Sequence, residues 1–552
     1  MMGEERADLL FTGGHVWTGL DRRDPIDSVA VRGGRIVGVG RAVDLGWARG
    51  PRTRVIPLAG RLLLPAFQDA HAHPILAGLE MSRCWLVGGP DVTRAYLRSI
   101  TAYAAAHPER DWIEGSGWAM SAFPGGIARA SALDKATGDR PAYLESRDGH
   151  SAWVNSAALR VAGVTAETPD PPLGRIERDE HGAPIGTLQE AAMELVSRCL
   201  PPATDEEWEQ ALLRGQAELH RLGIGSWQEA HADRTRQAAY LAILGRGELT
   251  GRAALASLWD HERGLEQVAE LVDRRREVAA VDPARLHAGA VKVFQDGVVE
   301  SRTAAMLAPY LDATGTPTRD RGASVHHPDA LRDMFVALDA ERLTIHVHAI
   351  GDRAVRETLD ALQAARLANG PRDGRHQIAH LQFVDPADLP RFRALGVIAN
   401  CQPYWAAEDK YISELTRPFV GDLRTDRMYP FGSLARQGAT LAMGSDWSVT
   451  TADPSHILHV ALQRTPPEHP GARPLGPQER LSPEVALRAY TRGSALANGL
   501  DDTGTIEPGR AADLVVLDRD PLAAPGRSFA EARVVLTMVD GRAVGEDPRL
   551  GA

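Results

Sequence analysis

The sequence predicts an α/β protein: a TIM-like (β/α)8 barrel with a small β-sandwich built from both chain ends and a subdomain inserted after barrel strand one. Three observations predict this fold. Apolar, strand-like runs alternate with helical patterns between residues 62 and 450, strand-and-glycine segments occupy both ends, and a long insertion separates the first two alternating strands. Alternation of strands and helices is typical of a parallel sheet closed into a barrel.

The sequence pattern at both chain ends is typical of short strands joined by tight turns. In residues 8–60, Gly33 and Gly34 occupy a hairpin position within "SVAVRGGRIVGVG". Near the other end, "GTIEPGRAADLVVLDRDP" and "ARVVLTMVDGRAVG" show the same pattern. We therefore predict one β-sandwich formed by residues 1–64 and 501–552.

The barrel is predicted to span residues 65–500. Thr204 and Glu207 form a capping-box pattern before the periodic segment "WEQALLRGQAELHRLG", which marks one helix start. The predicted barrel strands are Leu62–Asp69, Ile224–Gln228, Arg252–Trp259, Leu286–Phe294, Leu343–His348, His376–Leu381, Val397–Cys401 and Thr440–Asp446.

The stretch between the first two barrel strands is far longer than one helical connection. It contains "DWIEGSGWAMSAFPGG" and "RPAYLESRDGHSAWVNSAALRVAG", both rich in aromatic and polar residues. Because this stretch leaves the C-terminal end of strand one, we expect residues 75–205 to form a subdomain that covers the barrel mouth.

Composition and charge limit the partners. The chain has 552 residues, of which 43% are hydrophobic and 24% charged, and a net charge of −11. This balance is typical of a soluble globular protein and disfavours a nucleic-acid partner or an anionic membrane surface, so a small-molecule substrate is expected.

Targeting signals and cysteines favour a cytoplasmic location. The segment "MMGEERADLLFTGG" lacks the basic and apolar regions of a signal peptide, and no apolar run approaches a membrane span of roughly 18 residues. Cys84, Cys199 and Cys401 form no CxxC pair, which fits a reducing compartment.

Histidines fall at the ends of predicted barrel strands. His71 and His73 lie in "QDAHAHP" after strand one, His348 ends strand five, His380 ends strand six and Asp446 ends strand eight. The C-terminal ends of barrel strands meet at one mouth, so these side chains should converge there.

A histidine pair alone is a weak signal, because such pairs often bridge backbone groups or cap turns. His346 and His376, on the same strands as the chosen histidines, are expected to pack or to form hydrogen bonds. The joint pattern across several strands, rather than any single histidine, points to metal binding.

Lys292 lies inside the apolar run "GAVKVFQDG", in a chain that uses arginine for nearly all its positive charge. Burying an unpaired ammonium costs several kcal/mol or forces it neutral. A neutral lysine can react with carbon dioxide to give a carbamate that bridges two cations. The alternative is a neutral or ion-paired core lysine, with Asp296 as a conceivable partner.

The order HxH, Lys, His, His, Asp on strands one, four, five, six and eight resembles the metal-dependent amidohydrolase superfamily. Within it, "GHSAWVNSAAL", "VKVFQDG", "HVHAIGDRAV", "GSDWSV" and "GTIEPGRAADLVVLD" are similar to the subgroup around YtcJ and N-substituted formamide deformylase. These motifs extend over nearly the whole chain.

The resemblance implies a set of metal ligands and permits a homodimer. The HxH pair would hold the more buried ion, the two later histidines the more exposed one, the lysine as carbamate would bridge them, and the aspartate would touch the bridging water. The cofactor would be a divalent metal, zinc by its imidazole and carboxylate ligands, with one or two ions per chain. The implied ligands are His71, His73, Lys292, His348, His380 and Asp446.

The expected activity is hydrolysis of a non-peptide carbon–nitrogen bond in an amide, an N-substituted formamide or a cyclic amide. A divalent ion lowers the pKa of bound water to about 7, and Asp446 would act as general base and then general acid. Ester or lactone hydrolysis and metal-dependent isomerisation stay open, since the same site serves them. A catalytically inactive scaffold is the alternative of another class, although every expected ligand position is filled.

Substrate contacts are expected from the insertion and the mouth loops. His150 is the strongest candidate because it is a polar group in the glycine-flanked loop "RDGHSAWVN". Tryptophans are often packing residues, so about half of the aromatic candidates should reach the pocket. The predicted substrate-binding residues are Trp118, His150, Asn155, Arg302 and Trp447, with Phe123, Trp153, Tyr404 and Arg147 as further candidates.

Overall fold

A computed structural model of the chain describes residues 6–20, 25–86, 92–523 and 529–546. The first five residues, with which the segment examined for a signal peptide begins, lie outside the described residues, as do residues 547–552 of the predicted sandwich. Within the described residues, no helix combines the length and the apolar character needed to cross a membrane.

The strands are numbered along the chain. They are β1 (Leu9–Thr12), β2 (His15–Val16), β3 (Ser28–Arg32), β4 (Arg35–Gly40), β5 (Arg54–Pro57), β6 (Leu62–Pro65), β7 (Phe67–Ala72), β8 (Cys84–Trp85), β9 (Ile113–Trp118), β10 (Ala142–Ser146), β11 (Ser151–Val154), β12 (Gly174–Arg178), β13 (Pro184–Glu190), β14 (Ile224–Ala232), β15 (Arg252–Leu258), β16 (Leu286–Phe294), β17 (Thr344–Ala349), β18 (Gln377–His380), β19 (Ile398–Cys401), β20 (Leu441–Met443), β21 (Leu514–Leu517), β22 (Val534–Val539) and β23 (Arg542–Glu546).

The α-helices are numbered in the same way. They are α1 (Pro74–Glu80), α2 (Val92–Ala106), α3 (Ala130–Thr137), α4 (Ser156–Ala162), α5 (Glu194–Ser197), α6 (Asp205–Arg221), α7 (Arg234–Gly245), α8 (Gln267–Ala279), α9 (Pro328–Ala340), α10 (Asp352–Asn369), α11 (Leu389–Leu395), α12 (Arg417–Val420), α13 (Asp422–Thr425), α14 (Phe431–Arg436), α15 (Pro454–Gln463), α16 (Pro483–Arg488) and α17 (Ser494–Ala497).

The predicted barrel is confirmed. Eight strands form one sheet in the order β7, β14, β15, β16, β17, β18, β19, β20, and every neighbouring pair is parallel. At the mouth, the backbone N–H of Asp446 donates to the carbonyl of His71 at 2.7 Å, which joins the two ends of the sheet. Strands with apolar side chains on both faces fit this position between helices and barrel interior.

Two strand bounds differ from the prediction in ways that affect the site. The apolar run Leu62–Asp69 is split between β6 and β7, and only β7 belongs to the barrel. The last strand, β20, ends at Met443, so Asp446 lies in the following loop rather than on the strand.

The local turn and cap signals were read correctly. Gly33 and Gly34 connect β3 to β4 with φ of 55° and 77°, a conformation that glycine adopts without steric cost. Thr204 caps α6, where it accepts from the backbone N–H of Glu207 while the Glu207 carboxylate accepts from the N–H of Thr204.

The chain ends form two sheets that share one apolar core. One sheet has the order β4, β3, β1, β5, and the other has the order β2, β6, β21, β22, β23. In the second sheet, β6 from the N-terminal end pairs antiparallel with β21 from the C-terminal end, with Leu64 opposite Val515. The buried core between the sheets includes Phe11, Val29 and Leu514.

The insertion, residues 75–205, contains a sheet of its own with the order β12, β13, β11, β10, β9, β8. Tyr411 and Leu415, from a π-helical turn after β19, pack into the same apolar cluster as Trp118 and Trp153 of the insertion. The insertion thus contacts the barrel on the side of its C-terminal strand ends.

Candidate metal centre

Barrel geometry brings the six predicted ligands to one place. His71 lies near the end of β7 and His73 directly after it, while the other side chains come from β16, β17, β18 and the loop after β20. The buried members of this group are His71, Lys292, His348, His380 and Asp446.

The tightest group consists of His71, His73 and Asp446. One ligand atom from each of the three lies within 4.8 Å of the others. The Oδ1 atom of Asp446 is 3.5 Å from Nε2 of His71 and 3.3 Å from Nε2 of His73. Two imidazole nitrogens and a carboxylate oxygen are a ligand set that zinc accepts.

A second pair of imidazoles lies on the other side of Asp446. The ring centroids of His348 and His380 are 4.4 Å apart, and those of His71 and His380 are 4.9 Å apart. The Oδ2 atom of Asp446 is 3.9 Å from Nδ1 of His380. The two carboxylate oxygens of Asp446 therefore face two different sets of imidazoles.

The imidazoles in this cluster are held in the neutral form that binds metals. Burial lowers the pKa of His71, His348 and His380 well below the usual value, and the nearby positive charge of Lys292 adds to the effect. Nε2 of His380 is buried and has no hydrogen-bond partner among the residues that the structure describes. A buried nitrogen left without a partner fits a site that receives a cation.

Lys292 reaches the same cluster from β16. Its Nζ atom lies 3.4 Å from Nε2 of His71 and 4.8 Å from the ring centroid of Phe294. Burial lowers the pKa of Lys292 to about 7, although the charge of Asp446 opposes this shift. The amine therefore loses its proton far more easily than an exposed lysine.

The alternative in which Lys292 forms an ion pair with Asp296 is wrong, because the described residues show no such pair. The carboxylate of Asp296 instead accepts from the backbone N–H groups of Ala305, Ile350 and Gly351 at 2.9, 2.9 and 2.8 Å. Asp296 thus organises the loops after β16 and β17.

Two ligand positions have unusual backbone conformations. His380 has φ of 74° and Asp446 has φ of 57°, a region that non-glycine residues rarely adopt. Hydrogen bonds hold both, because the N–H of His380 donates to Oε1 of Gln402 at 2.6 Å and that of Asp446 donates to the carbonyl of His71. Such strained residues concentrate at functional sites.

The insertion places His150 over the cluster. Its ring centroid is 5.8 Å from that of His348, and its Nδ1 atom is 2.8 Å from Oε2 of Glu190. The other oxygen of Glu190 accepts from the hydroxyls of Ser301 and Thr303 at 3.1 and 2.7 Å. Burial opposes protonation of His150, but the Glu190 carboxylate outweighs it and raises the pKa of His150 to about 9.

A cavity of about 760 Å³ opens beside this pair. Its wall includes His150 and Phe294, whose rings both lie within 6 Å of the His348 ring, so the cavity lies next to the candidate metal centre. Apolar and charged side chains share its wall, including Glu190, His231 and Trp259. The volume suits a small organic molecule.

A family model described as an amidohydrolase family matches residues 54–544. The chain belongs to the amidohydrolase family. The match includes β6, β21 and β22 of the second end sheet, the insertion and the whole barrel, so the family covers every part of the candidate site.

Several named relatives support the same membership over almost the full length. The protein LONG AFTER FAR-RED 3 of Arabidopsis thaliana is 32% identical over 97% of this chain and 91% of its own length. The YtcJ protein of Bacillus subtilis strain 168, named as an amidohydrolase, is 28% identical over 97% of this chain and 99% of its own. An N-substituted formamide deformylase of Arthrobacter pascens is 28% identical over 97% of this chain and 98% of its own length.

A solved structure shows the same fold. An uncharacterized metal-dependent hydrolase from Pyrococcus furiosus aligns with a TM-score of 0.71 and 24% identity, covering 93% of this chain and 99% of that one. The barrel of this amidohydrolase-family enzyme is therefore shared with a protein of known structure.

Two residues predicted to bind substrate in this amidohydrolase-family chain have structural roles instead. Trp118 is fully buried in the insertion, and its indole N–H donates to the carbonyl of Leu144 at 2.8 Å. Asn155 is also fully buried, and it accepts from two backbone N–H groups and donates to Thr137 and to a backbone carbonyl. Neither side chain has a polar atom left for a ligand.

The other predicted contacts are divided between the mouth and the surface. Trp447 follows Asp446 directly, and its carbonyl accepts from the N–H of His73 at 2.6 Å, so it lies at the metal centre. Arg302 is exposed and lies 5.6 Å over the ring of Phe419. Only His150 and Trp447 of the five predicted residues are placed beside the cluster by these contacts.

Three of the further candidates lie in the insertion, and the fourth, Tyr404, follows barrel strand β19. Phe123 packs edge-on against Trp153, with ring centroids 5.1 Å apart, and the Trp153 indole donates to a backbone carbonyl. The guanidinium of Arg147 lies 5.2 Å over the ring of Tyr411, and Tyr404 is partly buried after β19.

Sequence reasoning missed two buried carboxylates next to the metal centre. Oδ1 of Asp69 accepts from the N–H groups of His71 and Ser445, both at 3.0 Å, and so ties strand one to the loop after β20. Oε1 of Glu229 is 3.9 Å from Nδ1 of His73. Burial raises the pKa of Asp69 to about 7 and that of Glu229 to about 8.

A signal for both was present in the sequence. Asp69 ends one predicted barrel strand and Glu229 directly follows another, and an acid buried at such a position is rare unless it is paired. Glu190 was missed as well, since "LQEAAMEL" reads as the start of a helix rather than as a strand end.

Proposed function

We propose that this enzyme hydrolyses a non-peptide carbon–nitrogen bond in a small molecule: an amide, an N-substituted formamide or a cyclic amide. The observation that carries the proposal is the convergence of His71, His73 and Asp446, with ligand atoms within 4.8 Å, at the mouth of an amidohydrolase-family barrel. Relatives that carry hydrolase names, such as the N-substituted formamide deformylase, support the bond class.

A bound divalent cation, in our proposal zinc, supplies a Lewis acid and a water of lowered pKa at neutral pH. His71 and His73 would hold it through neutral ring nitrogens. Asp446 would accept a proton from the attacking water and return it to the departing nitrogen, and its position between the imidazole sets supports that role.

A second cation is part of the proposal. His348 and His380 would hold it, and Lys292, as a carbamate, would supply an anionic ligand that both ions could share. The reach of Lys292 to within 3.4 Å of the His71 ring supports a bridging position, and the lowered pKa of its amine supports reaction with carbon dioxide. One ion per chain with unmodified Lys292 is the alternative state.

We assign substrate contact to His150 and Trp447. His150 is held above His348 by Glu190, and Trp447 flanks Asp446. An imidazole fixed above the metal ligands can donate a hydrogen bond to the substrate oxygen.

We also propose the division into domains that the sequence suggests: a sandwich of residues 1–64 and 501–552, a barrel of residues 65–500 and a cover of residues 75–205. The shared core of the two end sheets and the separate sheet of the insertion support this division. We further propose that the protein is a homodimer and that it is located in the cytoplasm. All three cysteines are free, which is consistent with a reducing compartment.

The test combines a substrate panel with metal analysis and two variants. N-substituted formamides, N-acyl amines and cyclic amides should be hydrolysed, and Asp446→Asn should keep its metal while kcat falls by about 100- to 10,000-fold, because Asn cannot accept the proton. Metal analysis in bicarbonate buffer should find about two ions per chain, fewer in Lys292→Ala.

Other outcomes of the panel would contradict the proposal. Turnover of esters or lactones alone would make the enzyme an esterase, and isomerisation without hydrolysis would assign it to another reaction class. A chain that binds metal but turns over no compound of the panel would favour the scaffold alternative. Near-normal kcat in Asp446→Asn would remove Asp446 from the mechanism.

A further inference from the structure

A chain of three buried side chains crosses the barrel interior behind the metal centre. Nδ1 of His71 lies 2.8 Å from Nε2 of His346, and Nδ1 of His346 is hydrogen-bonded to Oε1 of Gln228. The three residues come from β7, β17 and β14, and each is at most 1% exposed. Water does not compete for these bonds at such burial.

The end of this chain determines where its protons lie. An amide oxygen only accepts, so the proton between Gln228 and His346 is on Nδ1 of His346. A neutral imidazole has one donor and one acceptor nitrogen, so Nε2 of His346 accepts. The proton between the two rings is therefore on Nδ1 of His71, and Nε2 of His71 keeps its lone pair.

The free lone pair points to the metal centre. Nε2 of His71 lies 3.5 Å from Oδ1 of Asp446 and 3.4 Å from Nζ of Lys292. In the opposite tautomer, a proton on this nitrogen would block coordination, because a ring nitrogen that binds a metal cannot also carry a proton.

A comparison with His348 shows why the tautomer of His71 depends on two further residues. Nε2 of His348 is 3.3 Å from the backbone carbonyl of Gly297, which can only accept, so one contact fixes the tautomer of this ring. His71 instead contacts a second imidazole, which by itself can either donate or accept. On the Nδ1 side of the ring, the direction of this hydrogen bond is therefore set by the residue beyond His346, which is Gln228.

We propose that Gln228, acting through His346, is a positioning residue that holds His71 in the tautomer able to bind the metal. This inference rests on the metal role of His71 in the proposed function. It assigns a function to an amide on β14, the strand beside β7, and to a histidine expected only to pack or to form hydrogen bonds.

The test has two measurements. Zinc affinity is measured by competition with a chelator, and the tautomer of His71 is measured from ring ¹⁵N spectra of the apoprotein. The signals that disappear in His71→Ala are those of His71. Gln228→Met removes the acceptor at similar volume, and His346→Leu removes the relay. Each should weaken zinc binding by about 10- to 100-fold and shift the His71 signals toward protonated Nε2. His346→Gln, whose amide oxygen can still accept from His71, should restore most of the affinity.

His376→Leu is the matched control, because His376 is a partly buried histidine that bonds Asp339 at 3.1 Å, away from the cluster. It should lower stability and leave zinc affinity unchanged. Wild-type affinity in Gln228→Met, or equal losses in His346→Gln and His346→Leu, would overturn the inference. Failure of the wild-type protein to bind zinc would overturn it too. Zinc binding with the expected variant pattern but no carbon–nitrogen hydrolysis would contradict only the proposed function.

Discussion

At the scale of the residue, burial and a charged neighbour shift the pKa values of two side chains, Lys292 and His150, in opposite directions. Burial lowers the pKa of Lys292 to about 7, because the charge of Asp446 only partly offsets desolvation. Burial acts in the same sense on His150, but Glu190 at 2.8 Å raises its pKa to about 9. The charged neighbour of each side chain, rather than its burial, therefore decides whether that side chain stays protonated at neutral pH.

This difference predicts a pH dependence of stability. The pKa of His150 rises on folding from 6.5 to about 9, so the pair contributes fully below about pH 6.5, and its contribution is lost as pH rises to about 9. The loss should be on the order of 3 kcal/mol. Urea unfolding of wild type and Glu190→Gln between pH 6 and 10 measures it.

The difference in unfolding free energy between the two proteins should shrink as pH rises, because the variant lacks the carboxylate that holds the proton. Taking the difference removes the contributions of other titrating groups. A difference that is constant across this range would show that His150 does not titrate with its pKa raised by Glu190.

At the scale of the element, helix α4 explains why Asn155 is not a substrate residue. Its Oδ1 atom accepts from the N–H of Ala158 at 2.8 Å, the bond of an N-cap, and also from the N–H of Ala142 in β10 at 3.0 Å. The Asn-Ser start of "VNSAALRVAG" is a helix-start signal that carries this role. The same side chain therefore joins a helix to the neighbouring strand.

Asn155→Ala should lower the stability of the insertion by at least about 2 kcal/mol, because the cap is lost and buried backbone groups lose their partners. Thermal unfolding and limited proteolysis measure this effect. KM for the best substrate, measured on folded protein, should equal that of wild type; an increase of tenfold or more would return Asn155 to the substrate site. Asn155→Asp keeps an oxygen that can accept from Ala158 and Ala142 but loses the two donated hydrogen bonds, so it separates the contribution of the cap from that of the donors.

At the scale of the whole molecule, ion pairs of the buried Arg252 side chain join the barrel to the sheet of the chain ends. Nε of Arg252, at the start of β15, lies 2.7 Å from Oδ2 of Asp513 beside β21, and Arg252 also pairs with Asp540 between β22 and β23. The side chains of Arg252 and Asp513 are 7% and 2% exposed. Removing one partner of such a pair leaves the other charge buried alone.

Arg252→Ala should lower the free energy of unfolding by about 3–5 kcal/mol. Urea unfolding followed by fluorescence measures it. Arg276→Ala is the control, because Arg276 pairs with Asp273 at the surface, where both side chains are at least 70% exposed. That exposed pair should contribute less than about 1 kcal/mol. Equal effects in the two variants would mean that the buried pairs do not hold the barrel to the end sheets.

Much of the fold could be predicted because its signals are local. The alternation of strand and helix, the glycine pair at Gly33 and the capping box at Thr204 each depend on a few neighbouring residues. Strand β16 was predicted with its bounds exact, and most other barrel strands to within one or two residues. The split between β6 and β7 could not be read, because both halves are apolar and differ only in the sheet that they join.

The sequence by itself determined the family, the barrel and the candidate ligands, since strand-end histidines, Lys292 and Asp446 occupy positions that parallel strands must bring to one mouth. Only the tertiary structure decided which neighbours each side chain meets. It placed Glu190 against His150 and His346 between His71 and Gln228, and it enclosed Trp118 in the insertion. These contacts join residues far apart in the chain, and hydrogen bonds and burial depend on such neighbours rather than on the order of residues.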